Sequence, residues 1–164
     1  AFEQLAEEEN QGAGAVVLGD MGHAWTFDRL NRAFRLLMQE PTPALVALGM
    51  TRYWRSEEGL QLDTGPFVKA LEYATGSKAV VMGKPATAFF DAGVSMLGCE
   101  PAECLMVGDD IRGDIAGSQA SGLKAALVRT GKFSESDHGT GIMPDLLLDS
   151  ICDLPAWLEG QEKP

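Results

Sequence analysis

Cysteine and long apolar runs are both scarce in this sequence. The three cysteines, Cys99, Cys104 and Cys152, are odd in number and form no C-x-x-C pair. Neither a disulfide framework nor a cysteine zinc site is indicated, and buried free thiols in a reducing cytoplasm are expected. No stretch approaches the roughly 20 apolar residues that cross a bilayer, and the N-terminus lacks the basic start and apolar stretch of a signal peptide. We therefore expect a globular cytoplasmic protein with no membrane partner.

Positive charge is scarce as well. Thirteen Lys and Arg stand against 24 Asp and Glu in 164 residues, a formal net charge of -11. No nucleic acid is expected as a partner, because binding to its backbone depends on clustered basic residues. A bound phosphate would need local positive charge from a lysine, a metal or backbone N–H groups. The acidic segment 7–9 is expected to be a solvated helix face.

Helical and strand patterns alternate along the chain, and 45% of its residues are apolar. A clear strand-helix-strand unit covers 104–128 and implies a parallel pair. Apolar patterning predicts strands at 15–18, 44–48, 79–82, 104–107, 124–128 and 145–148, and helices at 27–39, 66–75, 87–97, 111–121 and 153–158. We expect Pro155 to limit the last helix to its first turn. The fold class expected is α/β.

The sequence predicts a domain boundary near residue 83, where two α/β segments meet at a glycine and a proline. This divides the chain into residues 1–82 and residues 83–164. Each part carries enough apolar sequence for a small core.

The strongest local signal is the segment Gly108-Asp109-Asp110-Ile111-Arg112-Gly113-Asp114, which follows an apolar strand and leads into a helix. Ligands of open α/β sheets bind beyond the carboxyl ends of the strands. Asp109, Asp110 and Asp114 repel one another there, and a hard cation such as Mg²⁺ is the simplest compensation. The structural alternative is that Asp109 or Asp110 only caps the helix.

Other ion and phosphate motifs do not fit. A calcium loop starting at Asp110 would place Ser121 where a glutamate is required. Gly83-Lys84 and Gly131-Lys132 lack the remaining residues of a P-loop, and Gly12-x-Gly14 precedes its strand, unlike a dinucleotide-binding turn. Lys84 follows the strand at 79–82; alone it would be a surface charge, but beside a phosphate and several carboxylates an ammonium offsets their repulsion.

Three segments together resemble a known family: Gly83-Lys84-Pro85-x4-Phe90, Gly108-Asp109-Asp110-x3-Asp114 and 128–132. They are similar to the third and fourth motifs of haloacid dehalogenase superfamily phosphatases with a large α/β cap. Segments 31–37, 52–54 and 65–73 resemble the cap of such proteins. The resemblance implies a Rossmann-like parallel-sheet half-core at 83–164 and an α/β cap at 1–82.

The resemblance also implies site residues and a reaction. Lys84 would position the nucleophile and the phosphate, Asp109 would bind Mg²⁺, and Asp114 would support the metal, with Asp110 as a further ligand. In the family an aspartate attacks phosphorus of a small phosphorylated molecule, and water hydrolyses the aspartyl-phosphate.

The sequence departs from the family at its first motif. A strand followed by D-x-D is absent, since Asp20-Met21-Gly22 carries one acid and His23 follows. We therefore expect a fragment without the nucleophile, inactive alone, whose partner is the missing N-terminal core segment. The alternative is a non-catalytic dimerisation or partner-binding module. A third alternative is a receiver-like signalling domain, but the predicted cap would have no role in such a domain.

Weaker candidates lie in the predicted cap. Arg52 and Tyr53, with Trp54, are candidates for substrate binding or for a homodimer contact through the cap, and packing within the cap is the alternative. His23 is a candidate to face the substrate from the cap, with a surface or helix-capping position as the favoured alternative. His138, in the polar loop at 134–139, is expected to be solvated.

Overall fold

The computed structural model describes residues 3–6 and 9–161, which fall into two compact units. The division lies between Gly83 and Lys84. The roles of the two units as cap and core stay predictions. Glu7 and Glu8, expected on a helix face, lie outside the described residues, whereas Glu9 is exposed and outside any helix.

The described part of the first unit contains a parallel sheet, a hairpin and two α-helices. The sheet has the order β1-β2-β5, and β3 and β4 pair antiparallel. The elements in chain order are β1 (Ala15–Leu18), a 3₁₀ turn (Gly22–Ala24), α1 (Phe27–Leu37), β2 (Ala44–Ala47), β3 (Tyr53–Ser56), β4 (Gly59–Leu62), α2 (Thr64–Thr75) and β5 (Val80–Val81).

The core of this unit forms where α1 and α2 pack on the sheet. The buried members of this cluster are Val16, Leu18, Leu36, Leu37, Leu45, Ala47, Val68 and Leu71. Burying a side chain of this size contributes about 1.5–3 kcal/mol relative to leaving it exposed. Phe27, the first residue of α1, and Met38, the residue after its last, are apolar but 78% and 56% exposed, so these two side chains do not contribute to the buried core.

Side-chain hydrogen bonds cap the N-termini of both helices of the first unit. The Thr26 Oγ1 accepts the Arg29 backbone N–H at 3.3 Å, the bond that an N-cap threonine typically makes. The Asp63 carboxylate caps α2 by accepting the Thr64 backbone N–H at 2.6 Å. These bonds satisfy helix N–H groups that have no partner inside the helix.

The second unit is built on a parallel sheet of order β6-β7-β8. The predicted parallel pair of 104–107 and 124–128 is confirmed as β6 and β7. The elements are α3 (Thr87–Leu97), β6 (Leu105–Gly108), a π-helical turn (Ile111–Ala116), α4 (Gly117–Ala120), β7 (Lys124–Val128), β8 (Leu146–Leu148) and α5 (Leu154–Gln161), with 3₁₀ turns at Pro101–Glu103, Glu135–Thr140 and Ile151–Asp153. Ile111, Ile115, Ala125 and Leu127 form its buried cluster.

The expectations for the length of the last helix and for the burial of all three cysteines were wrong. α5 continues to Gln161, because Pro155 stands in the first turn, where a missing N–H costs no intrahelical bond. All three cysteines are free, but only Cys104 is buried, and Cys152 is exposed. Among the described residues no helix has the length and apolar character needed to cross a membrane.

Candidate functional site

The carboxyl ends of β6 and β7 bring the acidic segment and a second lysine to one edge of the sheet. β6 ends at Gly108, and the chain then passes Asp109 and Asp110 into the π-helical turn. β7 ends at Val128 and leads to Gly131 and Lys132. Because the two strands are parallel neighbours, these segments leave the sheet at the same edge.

Lys84 and Asp114 form an ion pair within the second unit. The Lys84 Nζ lies 2.6 Å from the Asp114 Oδ1, and the side chains are 37% and 5% exposed. The other oxygen, Asp114 Oδ2, accepts the Asp110 backbone N–H at 3.1 Å. The buried carboxylate thus fixes the lysine on one side and the start of the helical turn on the other.

Asp110 is both a helix cap and the partner of Lys132. Its Oδ1 accepts the Arg112 backbone N–H at 3.0 Å, and its Oδ2 lies 2.5 Å from the Lys132 Nζ. Burial alone would raise the pKa of the Asp110 carboxyl, but hydrogen bonds from the Gly113 and Arg112 backbones and from Lys132 outweigh it and lower that pKa. Asp110 is therefore ionised at neutral pH. It caps the helical turn and also pairs with Lys132, so capping is not its sole contact, and its role as a metal ligand stays a prediction.

Asp109 reaches across to the segment after β7. Its Oδ2 accepts the Lys132 backbone N–H at 2.8 Å. Gly131 has a φ of 55°, and a Cβ at this position would overlap the Asp109 carboxylate. Glycine is thus required twice here, for the backbone conformation and for the space. Asp109 does not cap the helical turn, whose N-cap is Asp110.

Gly108 leaves space for the Asp114 carboxylate, as Gly131 does for the Asp109 carboxylate. A Cβ on Gly108 would overlap the Asp114 carboxylate group. The absence of a side chain at the last residue of β6 lets this carboxylate approach the strand end while its residue stays 3% exposed. Packing against the Asp114 carboxylate therefore explains the glycine of the Gly-Asp-Asp sequence.

The three aspartates offer the hard oxygen donors that Mg²⁺ prefers, but they do not converge on one point. Asp110 and Asp114 are each paired with a lysine, and Asp109 accepts a backbone N–H. Over residues 3–6 and 9–161, no three His, Cys, Asp or Glu side chains are grouped so that they could hold a metal. The carboxylate oxygens are suitable ligands for Mg²⁺. The described residues do not bring enough of them together to complete a metal site.

The structure thus joins Lys84, Asp109, Asp110 and Asp114 in one network, and it adds Lys132. The sequence pattern singled out Gly131-Lys132 only as a failed P-loop and as part of the family resemblance. The available signal was its position directly after the second strand of a parallel pair, where loop residues face the same edge.

Arg52 and Tyr53 lie in the first unit, where Tyr53 is the first residue of β3 and Arg52 precedes it. The guanidinium carbon of Arg52 is 5.9 Å from the centre of the Tyr53 ring. A cavity of about 720 Å³ in this unit is lined instead by Gly22, His23, Trp25, Trp54, Ser56, Glu57, Glu58, Gln61, Leu62 and Phe67. Neither Arg52 nor Tyr53 lines it, and their role in substrate binding stays a prediction.

The two histidines are exposed or half-exposed, as expected for surface residues. His23 is 3.9 Å from Glu58, with both side chains largely exposed. His138 is 3.4 Å from Glu135, and its ring meets that of Phe133 edge to face.

Comparison with known proteins places this site in a family context. A family model described as HAD-hydrolase-like matches residues 81–154, which include Lys84, all three aspartates and Lys132. The chain is 40% identical over 153 residues to the human phospholysine phosphohistidine inorganic pyrophosphate phosphatase, covering 93% of this chain and 56% of that protein. It is 46% identical over 124 residues to the bovine haloacid dehalogenase-like hydrolase domain-containing protein 2, covering 76% and 47%. The chain therefore spans about half the length of these relatives.

Solved structures give a concordant result. The 4-nitrophenylphosphatase of Thermotoga maritima is similar with a TM-score of 0.77 and 27% identity, over 93% of this chain and 57% of that one. The p-nitrophenyl phosphatase of Archaeoglobus fulgidus is similar with a TM-score of 0.75 and 25% identity, over 92% and 57%. The α/β fold with parallel sheets is shared with phosphatase structures.

Proposed function

Because this chain belongs to the haloacid dehalogenase-like hydrolase family, we propose that it carries the lysine- and aspartate-bearing half of a phosphohydrolase site. The observation that supports this most directly is the network at the carboxyl edge of β6 and β7, where two lysines are held by buried or half-buried aspartates. Such an edge is where parallel sheets place ligands.

Lys84 is the residue that we assign to phosphate positioning. Asp114 holds its ammonium from the buried side, and the lysine side chain is 37% exposed, so its remaining donors are accessible to an anion. A positioned ammonium attracts phosphoryl oxygens and offsets the overall negative charge of the chain. Asp114 acts here as a positioning residue, because it fixes Lys84.

Magnesium dependence is part of this proposal. Asp109 is the residue of this chain that we assign as a ligand, and the ligand set is to be completed by residues outside the described chain. A bound Mg²⁺ supplies charge neutralisation at the phosphoryl oxygens. Lys132 keeps Asp109 and Asp110 in place through its backbone N–H and its ammonium.

The proposed reaction is hydrolysis through an aspartyl-phosphate, with the nucleophilic aspartate supplied from outside this chain. A carboxylate oxygen forms a bond to phosphorus while the bond to the leaving oxygen or nitrogen breaks, and that atom departs with the electron pair. Water then attacks phosphorus, which releases phosphate and restores the carboxylate.

For the substrate we propose a small molecule with a phosphoryl group on nitrogen or oxygen. The names of the relatives include phospholysine, phosphohistidine, pyrophosphate and nitrophenyl phosphate, and a transferable phosphoryl group is common to all of them. A cytoplasmic location is also proposed, because free thiols persist in a reducing compartment.

The first experiment measures hydrolysis of p-nitrophenyl phosphate by the purified chain with and without Mg²⁺. The proposal predicts no hydrolysis above the rate of a matched blank, since the nucleophile is supplied elsewhere. Magnesium-dependent hydrolysis that disappears in Asp109→Asn would show that this chain holds a complete site and would overturn the proposed division.

A second candidate function is a non-catalytic module that associates through its first unit. The observation in its favour is the apolar exposure of the hairpin, where Leu60 and Leu62 are 61% and 60% exposed. Sedimentation equilibrium tests this candidate: a stable dimer that Leu60→Glu dissociates would support association through this unit, and it would be compatible with the phosphohydrolase proposal as well. A monomer at all concentrations would remove the support.

A further inference from the structure

Cys99 and Cys104 lie together in the second unit, away from the acidic network. Their Sγ atoms are 3.2 Å apart, and no disulfide joins them. Cys99 is half-buried and Cys104 is 7% exposed. Two free thiols at this distance need a movement of about 1 Å to reach the 2 Å length of a disulfide.

The backbone holds both cysteines in ordered positions. Cys99 follows directly on the end of α3, and the 3₁₀ turn Pro101–Glu103 returns the chain to Cys104. The Glu103 carboxylate accepts the Glu100 backbone N–H at 2.9 Å, and the Glu100 carbonyl accepts the Glu103 backbone N–H at 2.9 Å, which fixes that turn. The Cys104 carbonyl oxygen accepts the Lys124 backbone N–H at 3.0 Å, which ties Cys104 to the start of β7. The approach of the two sulfur atoms is therefore set by local structure.

We propose that Cys99 and Cys104 form an intramolecular disulfide when the protein meets hydrogen peroxide. The Cys99 thiolate attacks one peroxide oxygen, the O–O bond breaks, and after proton transfer a sulfenic acid and one water result. The Cys104 sulfur then attacks the Cys99 sulfur, the S–O bond breaks, and a second water leaves with the Cys104 proton. Two thiols are oxidised by two electrons in total, and one peroxide is reduced to two waters.

The order of these steps follows from the surroundings of each thiol. The hydrogen bond with Cys99, together with burial, raises the pKa of the Cys104 thiol, so Cys104 keeps its proton in the pair. Cys99 is the more exposed partner and is therefore the one that meets the oxidant. Cys104 then resolves the oxidised Cys99 and protects it from oxidation to sulfinic acid.

The disulfide would link the end of α3 to the start of β6. β6 is the strand whose opposite end carries Asp109 and Asp110. The link thus constrains an element that positions the acidic network, although it lies at the other end of the strand. The inference concerns the thiols themselves and does not depend on the proposed phosphohydrolase reaction.

The test treats the purified chain with hydrogen peroxide and then labels remaining thiols with N-ethylmaleimide under denaturing conditions. Three adducts are expected before oxidation, because the chain has three free cysteines, and one is expected afterwards, on Cys152. Cleavage after Glu103 separates Cys99 from Cys104 in the chain, so a disulfide leaves the two peptides joined. Their joint mass should lack two hydrogen atoms, and dithiothreitol should separate them.

Matched variants decide the outcome. Cys152→Ser should leave the joined peptides unchanged, whereas Cys99→Ser should remove them with retained far-ultraviolet circular dichroism. The inference is overturned by three reduced thiols after peroxide, by separate sulfinic or sulfonic acids on Cys99 and Cys104, or by disulfides that join different molecules through Cys152.

Discussion

At the scale of single residues, the edge of the second sheet shows how a chain of net charge -11 keeps three aspartates together. Each carboxylate has a nitrogen partner: Lys84 for Asp114, Lys132 for Asp110 and the Lys132 backbone for Asp109. Hydrogen-bonded pairing is the condition under which a buried charge is tolerated. The loss of one partner therefore affects stability as well as any proposed chemistry.

The close approach of Gly108 to Asp114 gives the first prediction. Gly108→Ala should lower the free energy of unfolding by about 1–3 kcal/mol, because the added methyl group would overlap the Asp114 carboxylate. Gly93→Ala is the matched control: this glycine lies inside α3 with no neighbour in the way of a Cβ, so the same change should stabilise by about 0.5–1 kcal/mol. Urea denaturation of the three proteins measures both effects. Equal shifts of the same sign would contradict the packing role of Gly108.

A second prediction compares two ion pairs. Lys132→Met should destabilise the chain by about 1–3 kcal/mol, since it leaves the Asp110 carboxylate, 13% exposed, without its ammonium partner. Arg129→Met should cost less than about 1 kcal/mol, because the Arg129–Asp149 pair is 45% and 81% exposed. Thermal denaturation at low and moderate salt checks the difference. If Lys132→Met lowered stability no more than Arg129→Met does, the partly buried Lys132–Asp110 pair would contribute no more to stability than the exposed Arg129–Asp149 pair.

Local sequence could predict four of the five residues in this network and could not predict the fifth. Asp109, Asp110 and Asp114 stand in one short segment, and Lys84 follows a strand of its own. Lys132 pairs with an acid 22 residues away, and this contact depends on the register of two parallel strands, which local spacing does not contain. The prediction of a metal site from the three aspartates stays untested.

At the scale of elements, helices and strands with a strong apolar pattern were predicted well, and strands with a weak pattern were not. The strands at 15–18 and 124–128 and the helix at 87–97 have the predicted bounds. The hairpin of β3 and β4 is not among the strands predicted from the sequence. Its strands are half-exposed and four residues long, so they lack the apolar run that marks a buried strand.

The attachment of β8 to β7 gives an element-scale prediction. The Asp145 carboxylate accepts the Ala125 backbone N–H at 2.9 Å and the Gln119 amide at 3.1 Å. Both bonds favour the ionised form and lower the pKa of Asp145. Asp145→Ala should therefore cost about 1 kcal/mol of stability at pH 7, as for a typical hydrogen bond.

The sign of the pH dependence follows from the lowered pKa. The stabilisation by Asp145 is complete above the unfolded pKa of about 3.9 and is lost as the pH falls through the lower folded pKa. The stability gap between the native chain and Asp145→Ala should narrow across this acidic window. Asp149→Ala, at an 81% exposed side chain, serves as the control with a smaller gap. A gap for Asp145→Ala that widens with acid would contradict the assignment.

At the scale of the whole molecule, the chain consists of two compact α/β units and matches about half of each relative. The family match at 81–154 covers most of the second unit and all residues of the acidic network. The alternation of helix and strand patterns predicted the α/β class, and the motifs predicted the family. The division of one active site between this chain and another segment is the central proposal that follows from both.

The most direct measurement of that proposal joins this chain to the part of the human phospholysine phosphohistidine inorganic pyrophosphate phosphatase that it does not match. Release of inorganic phosphate from p-nitrophenyl phosphate is then measured in the presence of Mg²⁺. The proposal predicts hydrolysis by the joined protein that falls by about 10²- to 10³-fold in Lys84→Met and is unchanged in Lys78→Met, an exposed lysine of the first unit. A folded, joined protein that is inactive, or one whose rate is the same with and without Lys84, would contradict it.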